Sequence, residues 1–326
     1  MPLTVCRVTS DTRFLVVEMG ARGIGHVAYL ARMAPPRIGV VLNVGTAHVG
    51  EFGSREAIAT AKSELVAALP ADGLAVLNAD DRAVRAMASV TTARVVLVGE
   101  ADDAEVRAAD VVLDAGGRAS FTLHTPDGTR SVHLGLVGRH HVGNALAVVA
   151  VATELGLPLE SVCAALESAR PVSRWRMEVV ERPDGVTLVN DAYNANPDSM
   201  RAALTALERM GEGRRTWAVL GTMLELGAES DALHAEVGAE VVARGVDKLV
   251  VVGPAAAALA AGARASLPAS GAGGGTHVRE VPDADRAEAL LTAELAAGDV
   301  VLFKSSRDAG LRLLGDRLAA TREELT

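Results

Sequence analysis

The sequence predicts an α/β protein made of two successive sheet-and-helix units, residues 1–171 and 172–326. Three observations predict it. A chain of 326 residues holds roughly two domains at about 150 residues each. Apolar runs of strand length alternate with amphipathic runs of helical length, the pattern of βα units. The alternation is broken once, near Arg170-Pro171-Val172-Ser173, and then begins again.

In the first unit Arg13–Glu18 reads as a strand and Ile24–Met33 as a helix stopped by Pro35 and Pro36, since proline cannot continue a helical ladder. Strands follow at Ile38–Val44 and Leu74–Asn78, separated by a helix at Arg55–Leu69. Asp80–Ala88 is helical and Arg94–Val98 extended. Ser120–Leu136 alternates about Pro126-Asp127-Gly128, a hairpin pattern. Helices at His141–Leu155 and Leu159–Ser168 close the unit. In the second unit strands are expected at Met177–Val180, Val186–Asn190, Thr216–Leu220, Lys248–Val252, His277–Val281 and Val300–Phe303, with helices between most of them. Gly271–Gly275 precedes a strand rather than joining strand to helix, so it reads as a flexible loop and not a phosphate cradle.

Composition narrows the function classes. A net charge of −9 argues against nucleic-acid binding, which needs a basic face. Two cysteines, Cys6 and Cys163, give no disulfide framework and suggest a reducing compartment. The start lacks a signal-peptide pattern. The best apolar run, Ala145–Leu157, contains Glu154 and is too short to span a bilayer. The cytoplasm is the expected location.

The richest stretch runs from Asn190 to Met200, N-D-A-Y-N-A-N-P-D-S-M. It links a strand to a helix that Asn196 would cap and Pro197 would open. Open α/β sheets bind ligands at the carboxyl ends of their strands, beside helix N-termini. A carboxylate, a phenol and amides in such a turn suit a nucleotide.

Lysine usage is the second signal. Among 32 basic residues only Lys62, Lys248 and Lys304 are lysines, so each retained lysine is a candidate for work arginine cannot do. Lys62 lies on the helix whose apolar stripe is Ile58, Ala61, Leu65 and Leu69. It points with the core face, where burial lowers a lysine pKa and leaves a neutral amine. The alternative is a stem snorkelling at the core edge. Glu18 and His48 both lie at the carboxyl ends of strands, and together could hold a divalent metal; taken singly, each reads as a satisfied turn residue rather than a ligand. Gly20–Gly25 has the wrong glycine spacing for a dinucleotide site and reads as a structural turn.

The ordered motifs are similar to those of the Mur ligases, ATP-dependent amide-bond enzymes of peptidoglycan precursor synthesis. They are Glu18-Met19-Gly20, Asn43 through Ser54, Ala61-Lys62-Ser63-Glu64, Leu77-Asn78-Ala79-Asp80, Gly138-Arg139-His140 with Asn144, and Arg176-Met177-Glu178. Asp191 through Pro197, Met223 to Gly227 and Lys304 to Arg307 complete the set. The D-A-Y-N-A-N-P turn favours the members that join D-alanyl-D-alanine to UDP-N-acetylmuramoyl-tripeptide over the folylpolyglutamate synthetases, which share the fold. The resemblance implies an incomplete central ATPase-type α/β domain followed by a Rossmann-like α/β C-terminal domain. It implies ATP as co-substrate and Mg²⁺ held by Glu18, His48 and a carbamylated Lys62. Asn144 would contact adenine, and Asp191, Tyr193 and Asn194 would line the adenosine site. Arg176 would steady phosphates, Lys304, Ser306 and Arg307 would serve the dipeptide or the reacting phosphate, and Glu225 would bind substrate.

Four departures stand out. His141, Thr222 and Ser305 replace residues more frequent in the family, Asn, Asp and Gly. The fourth is an absence: no G-x-x-x-x-G-K-[ST] phosphate loop occurs in the 326 residues, whereas the family carries one upstream of the segment that Met1–Val5 resembles. The expectation is that this chain alone is inactive, whether it is a truncated product, the result of a misassigned start, or one half of a split enzyme with a separate N-terminal fragment. A residual nucleotide-binding or interaction module is the competing expectation.

Overall fold

In the computed structural model the described residues are 1–21, 23–45, 52–114, 116–268 and 275–320. They divide into two compact units, one of residues 1–112, 120–133 and 141–168, the other of 113–119, 134–140 and 169–326. The first sheet has the order β1-β2-β3-β4-β5-β6, with β1 Ile38–Val41, β2 Leu74–Asn78, β3 Arg94–Gly99, β4 Val106–Leu113, β5 Arg118–Thr125 and β6 Gly128–Val137. Strands β1 to β4 are parallel. Its longer helices are α1 (His26–Met33), α2 (Arg55–Ala67), α3 (Arg82–Ala86), α4 (His141–Glu154) and α5 (Leu159–Ser168), beside a single turn at Pro2–Val5 and a 3-10 turn at Met87–Val90.

The structure departs from the sequence expectations at four places here. Arg13–Glu18 forms no strand, and Phe14, Leu15 and Val16 lie exposed. An alternating pattern becomes a strand only when a ladder partner takes its N–H and C=O groups, and the segment pairs with neither β1 nor any other described strand. Conversely, β4 went unrecognised because its exposed outer residues dilute the apolar pattern. Strand β1 also ends at Val41 rather than Val44, and the expected helix at Asp80 begins at Arg82 because Asp81 is its cap. The Asp81 carboxylate accepts the Ala83 and Val84 N–H groups and also that of Val44 at 2.7 Å. At the end of the Gly20–Gly25 string Ile24 and Gly25 form a turn, and Gly25, at φ 91°, caps α1; Arg22 lies outside the described residues. The expected Gly271–Gly275 loop lies outside the described residues except for Gly275.

The second sheet has the order β11-β10-β9-β12-β8-β7. Its strands are β7 Glu178–Glu181, β8 Thr187–Asn190, β9 Thr216–Leu220, β10 Lys248–Val252, β11 His277–Val281 and β12 Val300–Lys304. Five run parallel, and β7 is antiparallel at one edge. Along β9 and β12 side chains alternate strictly between two cores. Ala218, Leu220, Val300 and Leu302 join one; Trp217, Val219, Val301 and Phe303 join the other. Helices α6 (Pro197–Met210), α7 (Ser230–Ala243) and α8 (Ala257–Ala265) cover the first face, while α9 (Ala284–Glu294) and α10 (Leu311–Ala320) cover the second. Asn196 caps α6 in a full capping box with Ser199, and Pro197 opens it, as the sequence predicts. Because β12 lies between β8 and β9, the carboxyl ends of these three strands stand side by side. A ligand site in an open α/β sheet forms at such a switch point.

Helices α7 and α8 approach closely through reciprocal glycines. A Cβ on Gly238 would fall inside contact distance of the Leu259 carbonyl, and one on Gly262 inside that of Ala235. Gly262→Ala should therefore lower stability by about 1–3 kcal/mol through overpacking, read as a lower urea midpoint with unchanged slope.

Candidate active site

In the second unit the turn after β8 is built around a buried ion pair. Lys304, the last residue of β12 and 2% exposed, places Nζ 2.6 Å from Asp191 Oδ2. The same ammonium donates to the carbonyls of Asn194 at 3.0 Å and Asp191 at 3.3 Å. Its three protons thus hold both ends of the turn. Asp191 Oδ1 accepts the Met177 N–H at 3.0 Å, which brings the segment before β7 onto the same carboxylate.

That segment is locally strained. Trp175 and Met177 have φ of 62° and 49°, a region side chains with a Cβ rarely adopt, and Arg176 lies between them. The crank is held by three contacts. Trp175 N–H donates to Glu178 Oε2 at 2.9 Å. Its Nε1 donates to the Asp316 carboxylate at 3.0 Å, and its carbonyl accepts the Tyr193 N–H at 3.1 Å. The result carries the Arg176 guanidinium to 4.3 Å from the centre of the Tyr193 ring. Arg307 reaches the same ring at 5.7 Å. Two exposed cations thus converge on one phenol beside the carboxyl ends of β8 and β12.

The loop after β9 is tied in by Ser306. Its Oγ accepts the Leu224 N–H at 2.9 Å, and its own N–H donates to the Thr222 carbonyl at 2.9 Å. Glu225 lies in this loop, exposed. His140, which belongs to the Gly138-Arg139-His140 string but has no role assigned there, is exposed as a residue, yet the atoms packed around it desolvate it. That desolvation holds its pKa below the usual histidine value, against an opposing pull from Asp191 and with a further push from Lys304.

In the first unit Lys62 projects from α2 and donates to the Asn43 carbonyl at 2.6 Å. Partial burial lowers its pKa, and the Asp81 carboxylate opposes the shift. Glu64, two residues on, accepts the N–H groups of Gly25 and Ala28 and so anchors the start of α1. Asn144 sits in the first turn of α4, with its amide nitrogen 3.4 Å from His141 Nδ1. Glu18 is exposed in an irregular segment, and His48 lies outside the described residues. No cluster of three or more potential metal ligands occurs among the described residues.

The structure therefore brings Arg176, Asp191, Tyr193, Asn194, Lys304, Ser306 and Arg307 together in one unit. Sequence reasoning missed Trp175 with Asp316, His140 and His234. The first two carried a signal in the R-W-R-M-E and G-R-H strings, but His234 carried none.

The strand order of the second sheet, with helices on both faces, defines a doubly wound α/β domain. The model of the Mur ligase middle domain matches residues 1–152, and that of the Mur ligase glutamate ligase domain matches residues 175–307. The chain belongs to the Mur ligase family. It is 51% identical to the UDP-N-acetylmuramoyl-tripeptide–D-alanyl-D-alanine ligase of Mycobacterium tuberculosis H37Rv, over 98% of this chain and 65% of that protein. It therefore spans about two thirds of that relative's length. A crystal structure of MurF from Acinetobacter baumannii superimposes with a TM-score of 0.86 at 29% identity, covering 98% of this chain and 67% of the other. MurF from Thermotoga maritima in complex with ADP gives 0.82 at 27% identity, covering 98% and 70%. No described helix is long and apolar enough to cross a membrane.

Two outcomes follow. Lys304→Met should cost roughly 3 kcal/mol in urea unfolding, because it leaves the Asp191 carboxylate enclosed without its partner. A cost below about 1 kcal/mol would place the pair with ordinary surface bridges. For Lys62, the unfolded chain binds more protons than the fold between the lowered pKa and the ordinary lysine value of 10.5, so the lysine's cost is present below that window and fades above it. Lys62→Met should therefore be more stable than wild type near neutral pH, and the difference should shrink as pH rises toward 10.5.

Proposed function

We propose that this chain supplies the later part of the central ATP-binding domain, residues 1–171, and the C-terminal domain, residues 172–326, of an ATP-dependent ligase. That ligase joins D-alanyl-D-alanine to UDP-N-acetylmuramoyl-tripeptide. The observation that carries the reading is the convergence of Arg176 and Arg307 on Tyr193 above the Asp191–Lys304 pair. Two guanidinium groups brought to one ring repel each other, and an anion between them relieves the repulsion. Phosphates and an acyl phosphate are such anions.

In the reaction a terminal carboxylate oxygen of the tripeptide attacks the γ-phosphorus of ATP and ADP departs. The dipeptide amine then attacks the acyl carbon, phosphate leaves, and the nitrogen gives up a proton. Catalysis of this kind rests on positioning and on neutralising charge. Arg176 offers charge to the phosphates. In the second unit Asp191, Tyr193 and Asn194 serve the adenosine, and Ser306, Arg307 and Glu225 take the dipeptide; in the first unit Asn144 is the adenine contact. The buried Lys304 acts in this reading by holding the Asp191–Asn194 turn under the reacting groups.

Mg²⁺ would be held by Glu18, His48 and Lys62. The donor chemistry fits: a neutral amine adds CO2 and releases a proton to give a carbamate, and the lowered pKa of Lys62 favours the neutral form. Carbamate and carboxylate oxygens are the hard donors this ion takes. When bound, the ion would neutralise phosphate charge.

The phosphate-loop pattern absent from the sequence is the main anchor for the β- and γ-phosphates in such enzymes. The purified chain should accordingly form no product from ATP, UDP-N-acetylmuramoyl-tripeptide and D-alanyl-D-alanine by mass spectrometry. A chimera extended upstream with the corresponding region of the M. tuberculosis relative should form it. A silent chimera would favour a residual binding module, and a preference for glutamate would indicate another amide ligase of this fold. Separately, ¹³C-bicarbonate should give a carbamate carbon signal that Lys62→Arg removes. An unchanged signal in that variant would return Lys62 to a packing role.

A further inference from the structure

The loop after β9, residues 222–226, is held more firmly than a surface connection requires. Met223 and Leu226 are buried in the core under α6 and α7, while Leu224 and Glu225 between them are exposed, Leu224 by 45%. Glu225 has φ 65°, a left-handed conformation that persists in a residue with a Cβ only when its surroundings impose it. Those surroundings act from two sides. On the β12 side Ser306 takes the Leu224 N–H and donates to the Thr222 carbonyl. On the α7 side stands His234, 0% exposed. Its Nε2 accepts the Met223 N–H at 2.9 Å and lies 3.4 Å from Thr222 Oγ1. Its Nδ1 lies 2.7 Å from the Ser230 carbonyl, a bond that puts the proton on Nδ1 and keeps Nε2 an acceptor.

A buried imidazole that spends both nitrogens on main-chain groups adds little to a core that an apolar side chain would not. What it adds is one fixed backbone path. We propose that His234 is a positioning residue for the incoming peptide. It fixes the loop so that the Glu225 carboxylate meets the peptide's amino group and Leu224 lies along its small apolar side chain, next to Arg307. The pairing of carboxylate with ammonium is a charge-assisted hydrogen bond. This role rests on the dipeptide reading given above.

The test compares the 326-residue chain with His234→Leu, which fills the space without an acceptor, and His234→Gln, whose amide oxygen can replace Nε2. Amide hydrogen exchange reads the loop, and titrations with D-alanyl-D-alanine and with ADP read the site. His234→Leu should speed exchange at Met223 and Leu224 by about tenfold or more, the loss of a local closing bond, and leave α8 and β10 protected. It should weaken the dipeptide by about tenfold and leave ADP unchanged. His234→Gln should restore most of both. Unchanged exchange at those two amides, or an equal loss of dipeptide and ADP, would overturn the role. If the leucine chain does not fold, His234→Ala replaces it with the same expectations. Arg307→Ala separates the two levels. Weakening by Arg307→Ala but not by His234→Leu defeats the positioning role alone. A dipeptide that ignores both changes, or that the wild-type chain does not bind, defeats the dipeptide reading and this role with it.

Discussion

The second unit depends on one buried ammonium. Lys304 ends β12, and from there it holds a carboxylate and two carbonyls of the turn that follows β8. A lysine suits this task better than an arginine. Its three donors point tetrahedrally from one atom and can reach three acceptors around it, whereas a guanidinium presents a flat fork suited to one carboxylate or phosphate. The division of labour follows from that geometry. The compact cation sits inside as a strut, and the flat ones, Arg176 and Arg307, stand at the surface over Tyr193, where their planar faces and outer N–H groups remain usable.

Lys62 is the counterpart. It is only partly enclosed, its amine is committed to the Asn43 carbonyl, and burial favours its neutral form. One lysine is therefore enclosed among acceptors that take its three protons, and the other is pushed away from charge by its surroundings. The contrast comes from the acceptors supplied, since the side chain is the same. At Lys304 the Asp191 carboxylate stands at hydrogen-bonding distance. Where Asp81 contributes only at longer range, desolvation wins.

Much of this was legible in the sequence, and the exceptions have a common cause. The α6 cap at Asn196, the alternating strands of the second sheet and the inward lean of Lys62 all follow from residues within a few positions of one another. Arg13–Glu18 was misread because alternation describes a strand's faces and not its partners. The left-handed Trp175 and Met177 were invisible because their conformation is imposed by Asp316, Asp191 and Glu178, two of them far away in sequence. His234 was invisible for a different reason. A histidine four residues into a helix reads the same whether it faces solvent or fastens a loop, and its meaning lies in the Met223 N–H it receives.

The strand order has a consequence for how the chain is made. Strands β8 and β9 are neighbours in sequence, but the place between them belongs to β12, whose Lys304 lies 113 residues beyond Asp191. During synthesis β9, β10 and β11 can pair as they emerge, each beside the last. Strand β8 has to wait with one edge open until residues 300–304 arrive to fill the gap, because the long-range contact cannot repay its loop closure earlier. The nascent unit thus passes through a stage in which most of its helices exist and its central seam does not. At that stage the Asp191 turn lacks its ammonium and the unfilled seam is open to a strand from another chain. The ion pair that organises the finished site is among the last contacts to form.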